Sequence, residues 1–139
     1  MSGIINSAGS RSGVIGTTEL DYEEGEWTPA YSNPSSAYPP VGQYIKIGKL
    51  VHCWGWFLTD GGTSGATFSG LPYTSATVAT VGNAQGCGST GYQNTSTTYA
   101  QFSTYVDNNA TTFHFKYQTN DVDFQDGKQA VFNIFYRTD

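Results

Sequence analysis

Charge is scarce in this chain. Asp, Glu, Lys and Arg make up 12% of its 139 residues, against about 25% in an average globular domain. The six basic residues are scattered singly from Arg11 to Arg137, while eleven acidic ones leave a net charge of −5. Binding a nucleic-acid backbone or an anionic membrane requires clustered Lys and Arg, so neither is an expected partner. Cysteine is scarcer still. Cys53 and Cys87 are the only two, too few for a disulfide scaffold, and a chain made in cytoplasm with both thiols reduced is the plain expectation. No run approaches the roughly 20 apolar residues of a membrane span. The opening Met1–Ser10 lacks the basic and continuous apolar regions of a secretory signal. Apolar spacing of three and four over two turns is missing as well, which argues against any substantial helix.

Aromatic residues make up 15% of the chain, alongside 17 glycines and abundant Ser, Thr, Asn and Gln. Disorder calls for few aromatics and high net charge, the reverse of this composition. A chain of this length forms one domain and can bury roughly two-thirds of its unfolded surface without a metal or disulfide.

Residues 1–24 read as an extended N-terminal arm followed by an acidic linker, and residues 25–139 as the folded body. In the arm, Ile4, Ile5, Val14 and Ile15 pair up among glycines and small polar residues, with Arg11 between them. Apolar pairs have no use in a solvated tail, so the arm is expected to order when it docks. Glu19, Asp21, Glu23 and Glu24 precede Gly25 as a solvated hinge. The body is all-β. Short segments rich in Val, Ile, Thr and aromatics run over Glu26–Tyr31, Gly42–Ile47, Leu50–Leu58, Ala66–Ser69, Thr77–Gly82, Tyr99–Val106, Thr112–Gln118 and Ala130–Tyr136. Turn residues such as Gly61-Gly62, Gly70, Asn108-Asn109 and Asp126-Gly127 bound them. This spacing suggests an antiparallel β-sandwich, jelly-roll-like, in a single domain.

Alternation assigns faces. Phe113, Phe115 and Tyr117 share one side of their strand. Leu50–Leu58 and Ala130–Tyr136 are bulky on both sides, so one side meets the core and the other a neighbouring subunit. Trp54 and Trp56, two apart on one strand side, have the bulk to fill a core; with Phe135 they are also the candidate interface residues. The polar stretch Gly88–Thr98 reads as a protruding loop that exposes Tyr92 as a surface contact.

Catalytic patterns are sparse. His52 and His114 each stand alone in a strand pattern, with no Cys-x-x-Cys or His-x-x-x-His spacing for a metal. No Gly-x-Ser-x-Gly elbow occurs, and Cys87 in Gly86-Cys87-Gly88 has no basic neighbour to activate it. Asp121, Asp123 and Asp126, with Asp60 or Asp107 approaching, are the only carboxylates to weigh as a glycosidase pair, which needs a separation of about 5 to 9.5 Å, or as a calcium cage. Turn-capping is the simpler role for such Asp residues. An enzyme is not expected, nor any cofactor or metal. Trp54, Trp56, Tyr92, Tyr99 and Tyr105 are also residue types that stack on sugar rings.

Three segments then carry a resemblance. Glu24-Gly25-Glu26-Trp27-Thr28-Pro29, Gly42-Gln43-Tyr44-Ile45-Lys46-Ile47-Gly48-Lys49-Leu50-Val51 and Ser69-Gly70-Leu71-Pro72-Tyr73 occur in that order. Together with Tyr105-Val106-Asp107-Asn108-Asn109 and the aromatic last strand, they resemble a β-module of tailed-bacteriophage virion proteins over about residues 23 to 139. Glu26 and Tyr73 stand where that family more often has Thr and Phe. The motifs also make mechanical sense alone: Trp27 anchors a strand, Pro29 ends it, Gly48 turns a hairpin or bulge, and Gly70-Leu71-Pro72 stops a strand and tucks Leu71 inward. The resemblance implies a virion structural protein that assembles as a homotrimer. The short arm before the module suits a capsid decoration (cement) protein. Its partner is then the major capsid protein, gripped at the capsid surface through Ile4, Ile5, Arg11, Val14 and Ile15. The alternative is a tail-fibre or head-spike tip that binds host glycan through Tyr92.

Overall fold

A computed structural model describes residues 21–31, 40–58, 67–77, 86–94, 102–117, 120–122, 124, 127 and 129–139. Every regular element among them is a strand: β1 (Tyr22–Trp27), β2 (Ala30–Tyr31), β3 (Val41–Ile47), β4 (Leu50–Leu58), β5 (Phe68–Ser69), β6 (Gly86–Asn94), β7 (Ser103–Val106), β8 (Phe113–Tyr117), β9 (Asn120–Asp121) and β10 (Gln129–Arg137). All pairings are antiparallel. The strand order is β1-β3-β4-β10-β6-β7-β8-β5-β2, with β9 added to β8. β1 and β2 stand at opposite ends of that order, yet only Thr28 and Pro29 separate them in sequence. The sheet must therefore curl until its two ends meet. Among the described residues the pairing joins all ten strands into one antiparallel curled sheet.

Phenylalanine fills the space inside the curl. Phe57, Phe68, Phe113, Phe115, Phe124 and Phe132 are all at most 2% exposed. Their rings meet across the interior: Phe57 of β4 lies 5.0 Å from Phe68 of β5, and Phe132 of β10 lies 5.1 Å from Phe115 of β8. Tilted and edge-on pairs of this kind add about 0.5–1.5 kcal/mol each beyond area burial. Trp27 closes one side, its ring 5.9 Å from Phe113 and 6.2 Å from Phe132. Its indole N–H donates to the carbonyls of Gln43 and Trp54 at 3.1 and 3.2 Å. Only glycine leaves room for it, since a Cβ on Gly42 would sit 2.3 Å from the indole nitrogen.

Several expected strands stand close to where the pattern put them. β4 coincides with Leu50–Leu58, β3 starts one residue earlier than expected, β10 is longer by one residue at each end, and β8 starts one residue later, with Gln118 outside the described residues. Ile47 pairs with Leu50 across a two-residue hairpin, with Gly48 at φ 57, the geometry a tight hairpin asks of its first turn residue. Glu26–Tyr31 breaks at Thr28-Pro29 into β1 and β2, and Leu71 is buried. Within Ala66–Ser69 and Tyr99–Val106 the strands are Phe68–Ser69 and Ser103–Val106. Thr77 lies outside any strand, and 78–82 lie outside the described residues.

Two expectations need correction. The acidic stretch is no hinge, because β1 begins at Tyr22 and pairs with β3 along its whole length. Two of its carboxylates find partners on β3, where the Tyr44 hydroxyl donates to Glu23 at 2.7 Å and Lys46 forms an ion pair with Asp21, while within β1 the Tyr22 hydroxyl donates to Glu24 at 2.6 Å. The stretch from Gly88 is likewise no loop as far as Asn94, since β6 pairs with both β10 and β7. Its small residues answer to space. A Cβ on Gly88 would come 1.9 Å from the Asn133 carbonyl oxygen. Cys87 therefore lies on a strand and not in a flexible loop. The arm residues Ile4, Ile5, Arg11, Val14 and Ile15 lie outside the described residues.

Candidate binding surface on the outer face

Alternation along β4 and β10 separates two sets of side chains. Val51, Cys53 and Phe57 of β4, and Ala130, Phe132, Ile134 and Tyr136 of β10, point into the core. Leu50, His52, Trp54, Trp56 and Leu58 take the other face of β4, and Val131, Asn133 and Phe135 that of β10. Registration with β3 extends this outer face, because Val41, Gln43, Ile45 and Ile47 stand opposite Trp56, Trp54, His52 and Leu50. Much of it is apolar and open. Val41 is 59% exposed, Leu50 52%, and Phe135 and Ile47 45% each.

The face has two ends. At one, the His52 imidazole stacks flat on Phe135, centroids 3.9 Å apart and planes 6° off parallel. Burial lowers the His52 pKa. Ile45, Ile47 and Leu50 surround the pair. At the other end a groove of about 500 Å³ runs past Trp54 and Trp56, rimmed by Glu26, Thr28, Val41 and Gln43. A second hollow of about 410 Å³ adjoins it and shares Glu26, Gln43 and Trp54. The Trp56 indole N–H donates to the Gln129 side chain at 3.2 Å, while Trp54 leans on His52 at 5.4 Å. The row through Gln43, Trp54 and Asn133 is the more polar part of the face, with Asn133 donating to Ser89 at 3.3 Å.

The expected contact residues are thus partly gathered. Trp54, Trp56 and Phe135 share this outer face, and the two tryptophans are half-buried on it instead of filling the core; the core tryptophan is Trp27. Tyr92 belongs to β6, opposite Val131 of β10, and not to a protruding loop. Glu26, Gln43 and Val41 were not singled out from sequence. Their place follows from the β1–β3 and β3–β4 registers, for which the alternation of β3 alone was the available signal.

The Asp107 carboxylate accepts the Thr112 hydroxyl at 2.5 Å and lies 3.0 Å from His114 Nε2, a latch across the turn between β7 and β8. Tyr105 packs edge-on to His114 at 6.2 Å, beneath Lys116. Burial pushes the Cys53 thiol up to about 12, and Cys87 is exposed; both are free thiols. Asp121 belongs to β9, whereas Asp60, Tyr99, Asp123 and Asp126 lie outside the described residues. No group of three or more His, Cys, Asp or Glu side chains converges as a metal site among the described residues. Glu23 sits between two tyrosines, whose hydroxyls, Tyr73 first and Tyr44 second, hold its carboxyl below the usual range.

No protein-family model matches the chain, and neither a curated protein nor a solved structure is significantly similar to it.

Proposed function

We propose that this chain is a structural virion protein of the tailed-phage kind that its motifs resemble, a sandwich-like capsid decoration protein acting by adhesion and not by turnover. The observation that carries the reading is the apolar outer face: Phe135 stacked on His52, with Leu50, Ile47 and Ile45 beside it, on strands whose other face is already satisfied by the core. Contiguous exposed apolar surface of this kind marks contact with another molecule. In this reading the His52–Phe135 end packs against other copies to form a homotrimer. Ile4, Ile5, Arg11, Val14 and Ile15 of each copy grip the major capsid protein. One trimer presents three arms, so weak individual grips add up through effective concentration.

Binding to purified shells that lack the protein tests this. The full chain is expected to coat them saturably. A variant without residues 1–18 is expected to keep its fold and lose at least 100-fold in affinity. Equal coating by the shortened variant, or no coating by the full chain, overturns the reading.

A further inference from the structure

We propose that the groove between Trp54 and Trp56 binds one ring of a neutral saccharide. The proposal stands apart from the virion reading, because it uses the opposite end of the outer face from the His52–Phe135 stack.

The geometry starts from strand spacing. Residues two apart on a strand stand roughly 7 Å from each other, close to the sum of two carbon–carbon contacts of about 3.5–4 Å. Trp54 and Trp56 have this spacing on the outer face of β4, and both line the groove. Each indole is held from its far side. Trp56 is tied to Gln129, which stands opposite Leu58 and so one row beyond it. Trp54 rests on His52, one row the other way. The two indoles are thus held toward opposite neighbours, and the groove of about 500 Å³ that they line with Glu26, Val41, Gln43 and Val131 is within the usual size of a small-ligand site.

The polar groups select the ligand class. Glu26, Gln43 and Trp54 form one cross-strand row. The Glu26 carboxylate and Gln43 amide carry no hydrogen bond to another described residue, so both are available to ligand hydroxyls. Among the described residues no Lys, Arg or His lines the groove; with Glu26 at its rim, an anionic sugar is disfavoured. An extended peptide is disfavoured for a different reason. β3 is paired on both sides, with β1 and β4, and β4 with β3 and β10. The Gln43 and Trp54 carbonyls also accept the Trp27 indole. The floor therefore offers little main-chain pairing, which a peptide binding by strand addition requires and a saccharide does not. A sugar ring needs an apolar face to stack on and side chains to bond its rim, and the slot supplies both.

The test screens the full chain on an array carrying neutral hexose and N-acetylhexosamine oligosaccharides beside sialylated and sulfated ones. The strongest neutral binder is then titrated by tryptophan fluorescence. Retention of neutral glycans, with a shift in tryptophan emission, is expected. Trp56→Ala is expected to weaken binding at least tenfold and Glu26→Gln severalfold. Trp54→Ala and Trp56→Phe serve as further variants, each checked for wild-type near-ultraviolet circular dichroism. The proposal is overturned if no neutral glycan binds, if only charged glycans bind, or if the folded tryptophan variants bind like wild type. Preference for a proline-rich peptide over every glycan also overturns it. Shell coating measured on the same preparations keeps the two readings apart: normal coating without glycan binding removes this site alone.

Discussion

The two faces of β4 and β10 are built from similar residues and do different work. Inward, Phe57, Phe132, Ile134 and Val51 have almost no exposed surface. Outward, Phe135, Leu50 and Val131 on the same strands remain 43–52% exposed. A strand's period of two places neighbouring residues in opposite environments, so hydrophobicity alone does not say which aromatic holds the fold. The inner set is locked by ring contacts from both halves of the curl, whereas the outer set touches mainly its own strand neighbours. Stability therefore belongs to the inner face, and the outer face is free to make contacts.

Substitution can break this contrast, and the largest effect belongs inside. Phe57→Ala removes a ring packed against Tyr31, Phe68, Phe115, Phe124 and Phe132. It should destabilise the fold by about 3–5 kcal/mol in urea unfolding. Trp27→Phe keeps most of the bulk but loses the N–H that bonds the Gln43 and Trp54 carbonyls; a loss of about 1–3 kcal/mol is expected in the same measurement. Phe135→Ser, on the outer face of the strand that carries Phe132, should leave stability within about 0.5 kcal/mol while reducing the mass in solution. A core-sized loss at Phe135 would erase the distinction between the faces.

The smallest effect concerns acid. Because the Tyr73 and Tyr44 hydroxyls lower the Glu23 pKa in the folded state, the stability this gives is present above the ordinary value of 4.5 and fades as pH falls through the lower folded value. Urea midpoints measured from pH 7 to pH 3 should drop less steeply in Glu23→Gln than in wild type. Parallel curves would show that the two hydroxyls do not favour the ionised carboxyl.

How far the sequence could be read follows the same contrast. β4, β8 and β10 were legible because Val, Ile and aromatics alternate or crowd over enough residues to set a period. Which face of β4 is inward was not, because Val51, Cys53 and Phe57 oppose Leu50, Trp54 and Trp56, two sets of comparable bulk. The structure settles it through Gly55, whose place is taken by the Phe132 ring. β1 was hidden by its acids, which reveal themselves as strand residues only through Tyr44 and Lys46 on β3. β6 was hidden by its glycines, which reflect the close approach of β10. The groove was half legible: Trp54 and Trp56 stand out in any reading, but Glu26 and Gln43 join them only through register.

Light scattering on the wild type and on Phe135→Glu, run beside their urea unfolding curves, tests most directly whether these strands hold the fold with one side and a neighbour with the other. The account predicts three times the chain mass for the wild type, a single chain mass for the variant, and matching midpoints once both are diluted to single chains. A wild type that is already a single chain, or a variant that stays assembled, would contradict it.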